Sequence, residues 1–118
     1  MGLSQHIDCV VIGAGASGMM CAGTAAENGN RVVVVEKNKM AGRKLLITGK
    51  GRCNVTNNCD AETFFANIVS NPRFMMSSFS AFSNEDTIRF FETLGVPLKT
   101  ERGNRVFPSS DKASDICN

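Results

Sequence analysis

The sequence predicts an α/β fold built on a Rossmann-like β-α-β core with a parallel sheet. Two hydrophobic stretches, 7–12 and 31–35, are rich in the β-branched residues that are typical of buried parallel strands. A glycine-rich turn follows the first stretch and leads into a small-residue helix predicted over 17–28. Because strand, glycine turn, helix and strand come in this order, the β-α-β unit is the element around which the other segments are arranged.

The glycine turn has the spacing G-x-G-x-x-G, with glycines at Gly13, Gly15 and Gly18. Gly13 permits a tight turn, Gly15 lets the backbone approach a pyrophosphate, and Gly18 lets the helix pack closely on the strand. The start of the helix, with Ala16 and Ser17, offers free N–H groups to an anion. We therefore predict that these five residues bind a dinucleotide cofactor.

An acidic residue, Glu36, ends the second predicted strand. A carboxylate at this place can accept hydrogen bonds from ribose hydroxyls, and it would favour NAD over NADP because it repels a 2′-phosphate. A glycine turn with no ligand is the alternative interpretation. The agreement of both strands, the helix and the acid favours a dinucleotide-binding unit.

A basic segment without acidic residues follows Glu36. Its cations are Lys37, Lys39, Arg43, Lys44, Lys50 and Arg52. Such a run is often a solvated loop. Its position directly after the predicted ribose-binding acid instead favours contact with the phosphates or with a flavin. In Gly42-Arg43 a glycine allows close approach and a guanidinium can bind phosphate in a bidentate manner.

The next segment, 49–57, combines glycines with short polar side chains. Such a loop can lie flat against a ring and offer backbone N–H groups. Cys53 and Cys59 are separated by five residues, and an Asn-rich segment between them argues against a helix. We therefore predict two free thiols here and no redox disulfide.

The remaining segments predict helices and one hairpin. Asp60 is the expected N-cap of a helix over 60–70, Pro72 the first residue of the next, and Ser83 the cap of a third. A hairpin is predicted over 96–108 with its turn at 102–104. A last helix is expected to be capped by one residue of 109–111 (Ser109, Ser110 or Asp111). Phe74, Met75, Phe79 and Phe82 are expected to form core.

Composition limits the classes of function. The chain has 118 residues and a net charge of +2, too small to indicate a nucleic acid or membrane partner. Five cysteines in odd number, with no secretion signal, fit a cytoplasmic protein. The sequence predicts no metal site, and no catalytic acid or base is evident. We expect residues 1–118 to be the N-terminal part of a cofactor-binding domain, truncated, with the substrate domain absent.

Four motifs of this sequence resemble the N-terminus of BaiN/RdsA-like (aminoacetone-oxidase-like) FAD-dependent oxidoreductases. They are Gly-Ala-Gly-Ala-Ser-Gly, Val-Val-Glu-Lys-Asn-Lys, Gly-Arg-Lys-Leu-Leu-Ile-Thr-Gly and, most specific, Gly-Arg-Cys-Asn-Val-Thr-Asn. Gly-Asn-Arg-Val-Phe-Pro and Ser-Asp-Lys-Ala-Ser-Asp, farther along, match the same family, so the resemblance covers nearly the whole chain. Lys50 stands where the family usually has glycine, and Ala41 where proline is frequent.

The resemblance implies roles for individual residues. Gly13, Gly15, Ser17 and Gly18 would meet the pyrophosphate of FAD, and Glu36 the adenosine ribose. Arg43 and Lys44 would hold the phosphate-ribose region. Gly49, Gly51, Arg52, Cys53 and Asn54 would lie toward the flavin.

The leading hypothesis is the N-terminal FAD-binding portion of a flavin-dependent oxidoreductase acting on a small molecule, with NAD(P)H as a candidate electron donor. An NAD-binding dehydrogenase domain is one alternative. A catalytically inactive dinucleotide-binding fragment is the other.

Overall fold

The computed structural model describes residues 6–118, which form two compact units. The first unit runs to Leu46 and includes Cys117; the second holds Ile47–Ile116 and Asn118. The elements are β1 (Cys9–Ile12), α1 (Ala16–Glu27), β2 (Val32–Val35), α2 (Arg43–Ile47), a 3-10 turn (Thr48–Gly51), β3 (Thr56–Asn57), α3 (Ala61–Ala66), α4 (Pro72–Ala81), α5 (Asn84–Thr93), β4 (Leu98–Glu101), β5 (Arg105–Pro108) and α6 (Ser114–Cys117). No helix within 6–118 has the length and apolar character needed to cross a membrane.

The first unit is a β-α-β arrangement. β1 and β2 pair in parallel, with Cys9 opposite Val32 and Ile12 opposite Val35, and α1 packs on both strands. A hydrogen bond from the Gly13 N–H to the Val35 carbonyl, 2.7 Å long, continues the ladder into the glycine turn. This arrangement confirms the predicted α/β class.

The predicted burial of the first strand is wrong for one of its two faces. Val11 is buried on the face toward α1, whereas Ile12, next to it on the strand, is 87% exposed. Successive side chains of a strand point to opposite faces. Parallel strands are buried on both faces only where helices cover both. Within residues 6–118, nothing covers the face that carries Ile12.

The second unit contains an antiparallel sheet in the order β3-β5-β4. β4 and β5 form the predicted hairpin, with Gly103 and Asn104 at positive φ in its turn. Val106 and Phe107 of β5 are almost fully buried and form the core of this unit. The short β3, which pairs with β5, is not predicted from the sequence.

The helix starts of the second unit largely follow the predicted caps. Asp60 caps α3 by accepting a 2.7 Å hydrogen bond from the Thr63 N–H. Pro72 is the first residue of α4. Ser83 and Asp86 form a capping box at α5, since each side chain accepts from the other residue's backbone N–H.

Three local predictions are wrong. Helix α3 ends at Ala66 and not near residue 70, with Asn67 as its C-cap. Phe74, Phe82 and Met75 are 78%, 42% and 37% exposed and are not core. Phe79 of α4 contacts Phe64 with ring centroids 4.5 Å apart. Helix α6 starts at Ser114 with no capping side chain.

None of the predicted caps of α6, Ser109, Ser110 or Asp111, has that role. The carboxylate of Asp111 instead bonds to Lys99, at 2.6 Å. The hydroxyl of Ser110 bonds to the carboxylate of Asp115. Asp111, which a local capping rule assigns to the helix, therefore forms a tertiary ion pair with Lys99 instead.

Candidate functional site

The glycine turn of the first unit has the geometry that its spacing predicts. Gly13 has φ +97°, a conformation that favours glycine. A Cβ on Gly18 would lie 1.9 Å from the Gly13 carbonyl oxygen, so only glycine fits where α1 meets the turn. A Cβ on Gly15 would meet nothing within 4 Å. Two glycines are thus required by the fold, and the third borders open space.

No side chain caps the first backbone N–H groups of α1. Gly15 is the N-cap, and the first turn of the helix contains no acidic residue. The first backbone N–H groups of a helix lack intrahelical acceptors, and the helix dipole adds partial positive charge there. Ala16 and Ser17, both exposed, belong to this first turn. The arrangement leaves an anion-binding helix end beside Gly15.

The carboxylate of Glu36 holds the turn in place. Its Oε2 accepts a 2.8 Å hydrogen bond from the Ala14 N–H, and its Oε1 accepts from the backbone and side chain of Asn38 at 2.7 and 2.6 Å. These bonds, that of the Asn38 backbone first, lower the pKa of Glu36 below its usual value. Glu36 therefore stays ionised at neutral pH.

Two residues that the sequence prediction missed connect this site. Ala14 is buried; its N–H donates to Glu36 and its carbonyl accepts a 2.7 Å hydrogen bond from the Gly42 N–H. Asn38 bonds to Glu36 and accepts a 3.2 Å hydrogen bond from Arg43 Nη1. The only sequence signal for Ala14 is its place between two motif glycines, because its role depends on backbone groups.

The predicted cations of the first unit lie at the surface. Lys37, Arg43 and Lys44 are exposed. Lys37 adds a favourable charge that helps to lower the pKa of Glu36. Asn38 ties Arg43 to the Glu36 end of the site, and Lys44 follows Arg43 on α2.

The other predicted residues lie in the second unit, in a left-handed loop. Gly49, Lys50 and Gly51 all have positive φ, at 57°, 59° and 84°. A Cβ on Gly49 would lie 2.9 Å from the Phe107 ring and 3.0 Å from the Asn54 nitrogen. The preference of the resembled family for glycine at position 50 has a physical reason, because a non-glycine residue is strained in this conformation.

Arg52 is engaged within its own unit. Its Nη1 donates to Glu101 at 2.9 Å and to Asp111 at 3.3 Å, and its guanidinium lies 4.0 Å from the centre of the Phe107 ring. The hydrogen bond to Glu101 is the main cause that raises the pKa of Arg52. Glu101 ends β4, before the hairpin turn. Glu101 and Asp111 are partners that sequence reasoning missed.

Cys53 and Asn54 complete this loop. Cys53 is fully buried at φ +60°, and its N–H donates to the Thr48 carbonyl at 3.0 Å. Burial raises the pKa of its thiol, and a side-chain hydrogen bond with Thr48 partly opposes that rise. Cys53 and Cys59 are both free thiols, and Asn54 is exposed. Within 6–118 no group of His, Cys, Asp or Glu could hold a metal ion.

A parallel β-α-β unit, an open helix end after G-x-G-x-x-G and an acid after the second strand together define a Rossmann-type nucleotide-binding domain. Residues 7–118 match the family described as the HI0933-like protein Rossmann domain. The chain belongs to this family.

The chain is similar to proteins with established names. It is 37% identical over 112 residues to the ribosomal RNA dihydrouridine synthase of Escherichia coli strain K12, covering 95% of this chain and 27% of that protein. It is 36% identical over 109 residues to the 3-dehydro-bile acid delta(4,6)-reductase of Clostridium scindens, covering 90% and 26%. Over 57 residues it is 44% identical to a urocanate reductase of Eggerthella lenta, covering 48% and 9%. The chain thus spans about a quarter of the first two relatives' length.

Proposed function

We propose that this chain supplies the part of a flavin-dependent oxidoreductase that binds the adenosine diphosphate half of FAD. The observation that carries the proposal is the N-terminus of α1. It opens beside Gly15 with no capping side chain and no acid in its first turn. Two named reductases among the similar proteins support an oxidoreductase.

The pyrophosphate would lie over the turn that contains Gly15. The missing Cβ there lets two negatively charged phosphates approach the backbone, and the N–H groups at Ala16, Ser17 and Gly18 point from the helix end. Arg43 and Lys44 would add positive charge for the phosphate-ribose region, with Lys37 nearby in sequence.

The adenosine ribose would bind Glu36. Each carboxylate oxygen has two lone pairs, and Oε2 accepts one hydrogen bond in the fold, from Ala14. Oε2 therefore keeps an acceptor position for one ribose hydroxyl. The same carboxylate would orient the glycine turn and bind the ribose of the nucleotide.

FAD, once bound, would supply the hydride or electron chemistry, and the protein would supply orientation and electrostatics. We assign Gly49, Gly51 and Asn54 to the neighbourhood of the flavin. Arg52 and Cys53 would act there by holding the shape of the loop from within the second unit. NAD(P)H is the proposed electron donor and a small molecule the proposed substrate.

Thermal unfolding of the 118-residue chain with FAD, NAD or NADP tests the proposal. A ligand at about 100 times its Kd should stabilise the fold by about 2.7 kcal/mol. We expect FAD to raise the Tm and the nicotinamide dinucleotides to have little effect. Gly15→Ala should remove most of the shift because its Cβ occupies the phosphate position. Gly23→Ala, the same change later on α1, should retain it.

A larger shift with NAD than with FAD would replace this proposal by an NAD-binding dehydrogenase domain. No shift with any dinucleotide, in a chain that unfolds cooperatively, would contradict dinucleotide binding itself.

A further inference from the structure

A pocket of about 160 Å³ opens in the second unit where β3, α3, α4 and α5 meet. Its apolar wall consists of Phe64, Met75, Phe79 and Phe82. The rings of Phe64 and Phe79 lie with their centroids 4.5 Å apart. The volume is similar to that of an apolar cavity of about 150 Å³ that binds benzene in another protein. The pocket therefore has room for one small ring.

The polar end of the pocket carries the side-chain amide of Asn84, whose oxygen has no hydrogen-bond partner among the described residues. Asn84 is only 6% exposed, and its Nδ2 donates to the carbonyls of Asn57 at 2.8 Å and Cys59 at 2.7 Å. These two bonds use both amide hydrogens and fix the orientation of the side chain. Within 6–118 the Oδ1 atom accepts no hydrogen bond, whereas every buried side-chain N or O atom there has a partner, so Oδ1 is accessible and can accept from a bound molecule.

Two hydroxyl groups of the lining add hydrogen-bonding capacity. Thr56 and Ser78 line the pocket, and neither side chain has a hydrogen-bond partner in the described part of the chain. No Lys, Arg, Asp, Glu or His is among the lining residues. An ionised ligand would lose its hydration here without gaining an opposite charge, so the lining selects an uncharged one.

We propose that this pocket binds a small, uncharged, planar ring that carries an N–H or O–H donor. The ring would pack against the phenylalanine wall, and its donor would satisfy Asn84 Oδ1. None of the residues predicted to bind the dinucleotide lines this pocket. The inference therefore stands or fails independently of FAD binding.

Fluorine NMR of the 118-residue chain with 4-fluorophenol and fluorobenzene tests the inference. The two probes share a ring, and only the phenol has a donor. We expect both to bind, with 4-fluorophenol binding about three- to tenfold more tightly, as one net neutral hydrogen bond allows. Equal affinity for both probes, or binding of neither at millimolar concentration, would overturn the proposal.

Ser78→Leu places a larger apolar side chain into the pocket and should weaken 4-fluorophenol binding at least tenfold. Ser77→Leu is the matched control, because Ser77 lies on the same helix and does not line the pocket. It should bind as the parent chain does. Equal weakening by both variants would contradict the assigned location.

Backbone amide spectra establish that each variant keeps the parent fold. If Ser78→Leu changes those spectra throughout, Ser78→Met fills the same space with a more flexible side chain and takes its place. The same tenfold loss is expected from it, and unchanged binding would overturn the assignment.

Discussion

Two glycines of α1 differ in what their missing side chains allow. At Gly18, a Cβ would lie 1.9 Å from the backbone oxygen of Gly13, an atom that cannot move without opening the turn. At Gly23, a Cβ would meet nothing within 4 Å, and the residue lies in the interior of the helix. The same helix thus contains one glycine required by packing and one that only lowers helix propensity.

Gly18→Ala should lower the free energy of unfolding by about 1–3 kcal/mol, because the added methyl group overpacks the contact between helix and turn. Gly23→Ala should raise it by about 0.4–1 kcal/mol, since alanine restricts the unfolded chain more than glycine does. Urea unfolding of both variants measures this difference. A Gly18→Ala variant as stable as the parent chain would contradict the described packing.

At the residue scale, the sequence predicted what depends on local backbone geometry. The tight turn at Gly13 and the close packing at Gly18 are confirmed, because a motif with fixed spacing encodes both. The surroundings of Arg52 were not predictable in this way. Its partners Glu101 and Asp111 lie far along the chain, and no local pattern predicts pairing over such a separation.

The left-handed loop 49–54 is held by contacts that are distant in sequence. Arg52 connects it to β4 through Glu101 and stacks on Phe107 of β5. The Gly51 carbonyl accepts a 3.1 Å hydrogen bond from the Ala113 N–H. These contacts hold a backbone conformation that Lys50 and Cys53 would not adopt by preference.

Arg52→Ala should loosen this loop and expose the Cys53 thiol, which is fully buried in the parent chain. We therefore expect Cys53 to be alkylated faster than in the parent chain. Mass spectrometry of the peptide that contains Cys53 measures this rate, because other cysteines react as well. Arg73→Ala, an exposed arginine on α4, is the matched control and should leave the rate unchanged. Equal rates in all three proteins would show that Arg52 does not hold the loop.

The helix starts were predictable where a residue contacts only the first turn of its own helix. Asp60, Pro72 and Ser83 are confirmed because their signals lie within the first turn of each helix. The start of α6 was not predictable, because Asp111, one of its expected caps, forms an ion pair with Lys99 instead. The two-residue β3 exists only through pairing with β5, so its sequence carries no strand pattern.

At the scale of the whole molecule, folding lowers the pKa of several carboxyl groups: Glu36, Asp60, Asp86 and Asp111. Each accepts hydrogen bonds that the folded chain provides. A carboxyl group whose folded pKa lies below its unfolded value stabilises the fold above the unfolded pKa. That contribution is lost as the pH falls through the folded pKa.

The Tm should therefore stay nearly constant from neutral pH to about pH 5 and fall below about pH 4, near the unfolded pKa of these groups. Calorimetry across this range measures the profile. Asp111→Asn should make the acid-induced loss shallower, because one group with a lowered pKa is removed. A Tm that is unchanged down to pH 3 would contradict the predicted linkage.

The central claim is that the open end of α1 and Glu36 bind the adenosine diphosphate half of a dinucleotide. Its most direct test is a titration of the isotope-labelled 118-residue chain with ADP, followed by backbone amide NMR. We predict saturable shifts centred on the amides of Gly15, Ala16, Ser17 and Gly18, with a further change at Asn38, whose N–H bonds to Glu36. Shifts confined to residues beyond 46, or no shift at millimolar ADP, would contradict the claim.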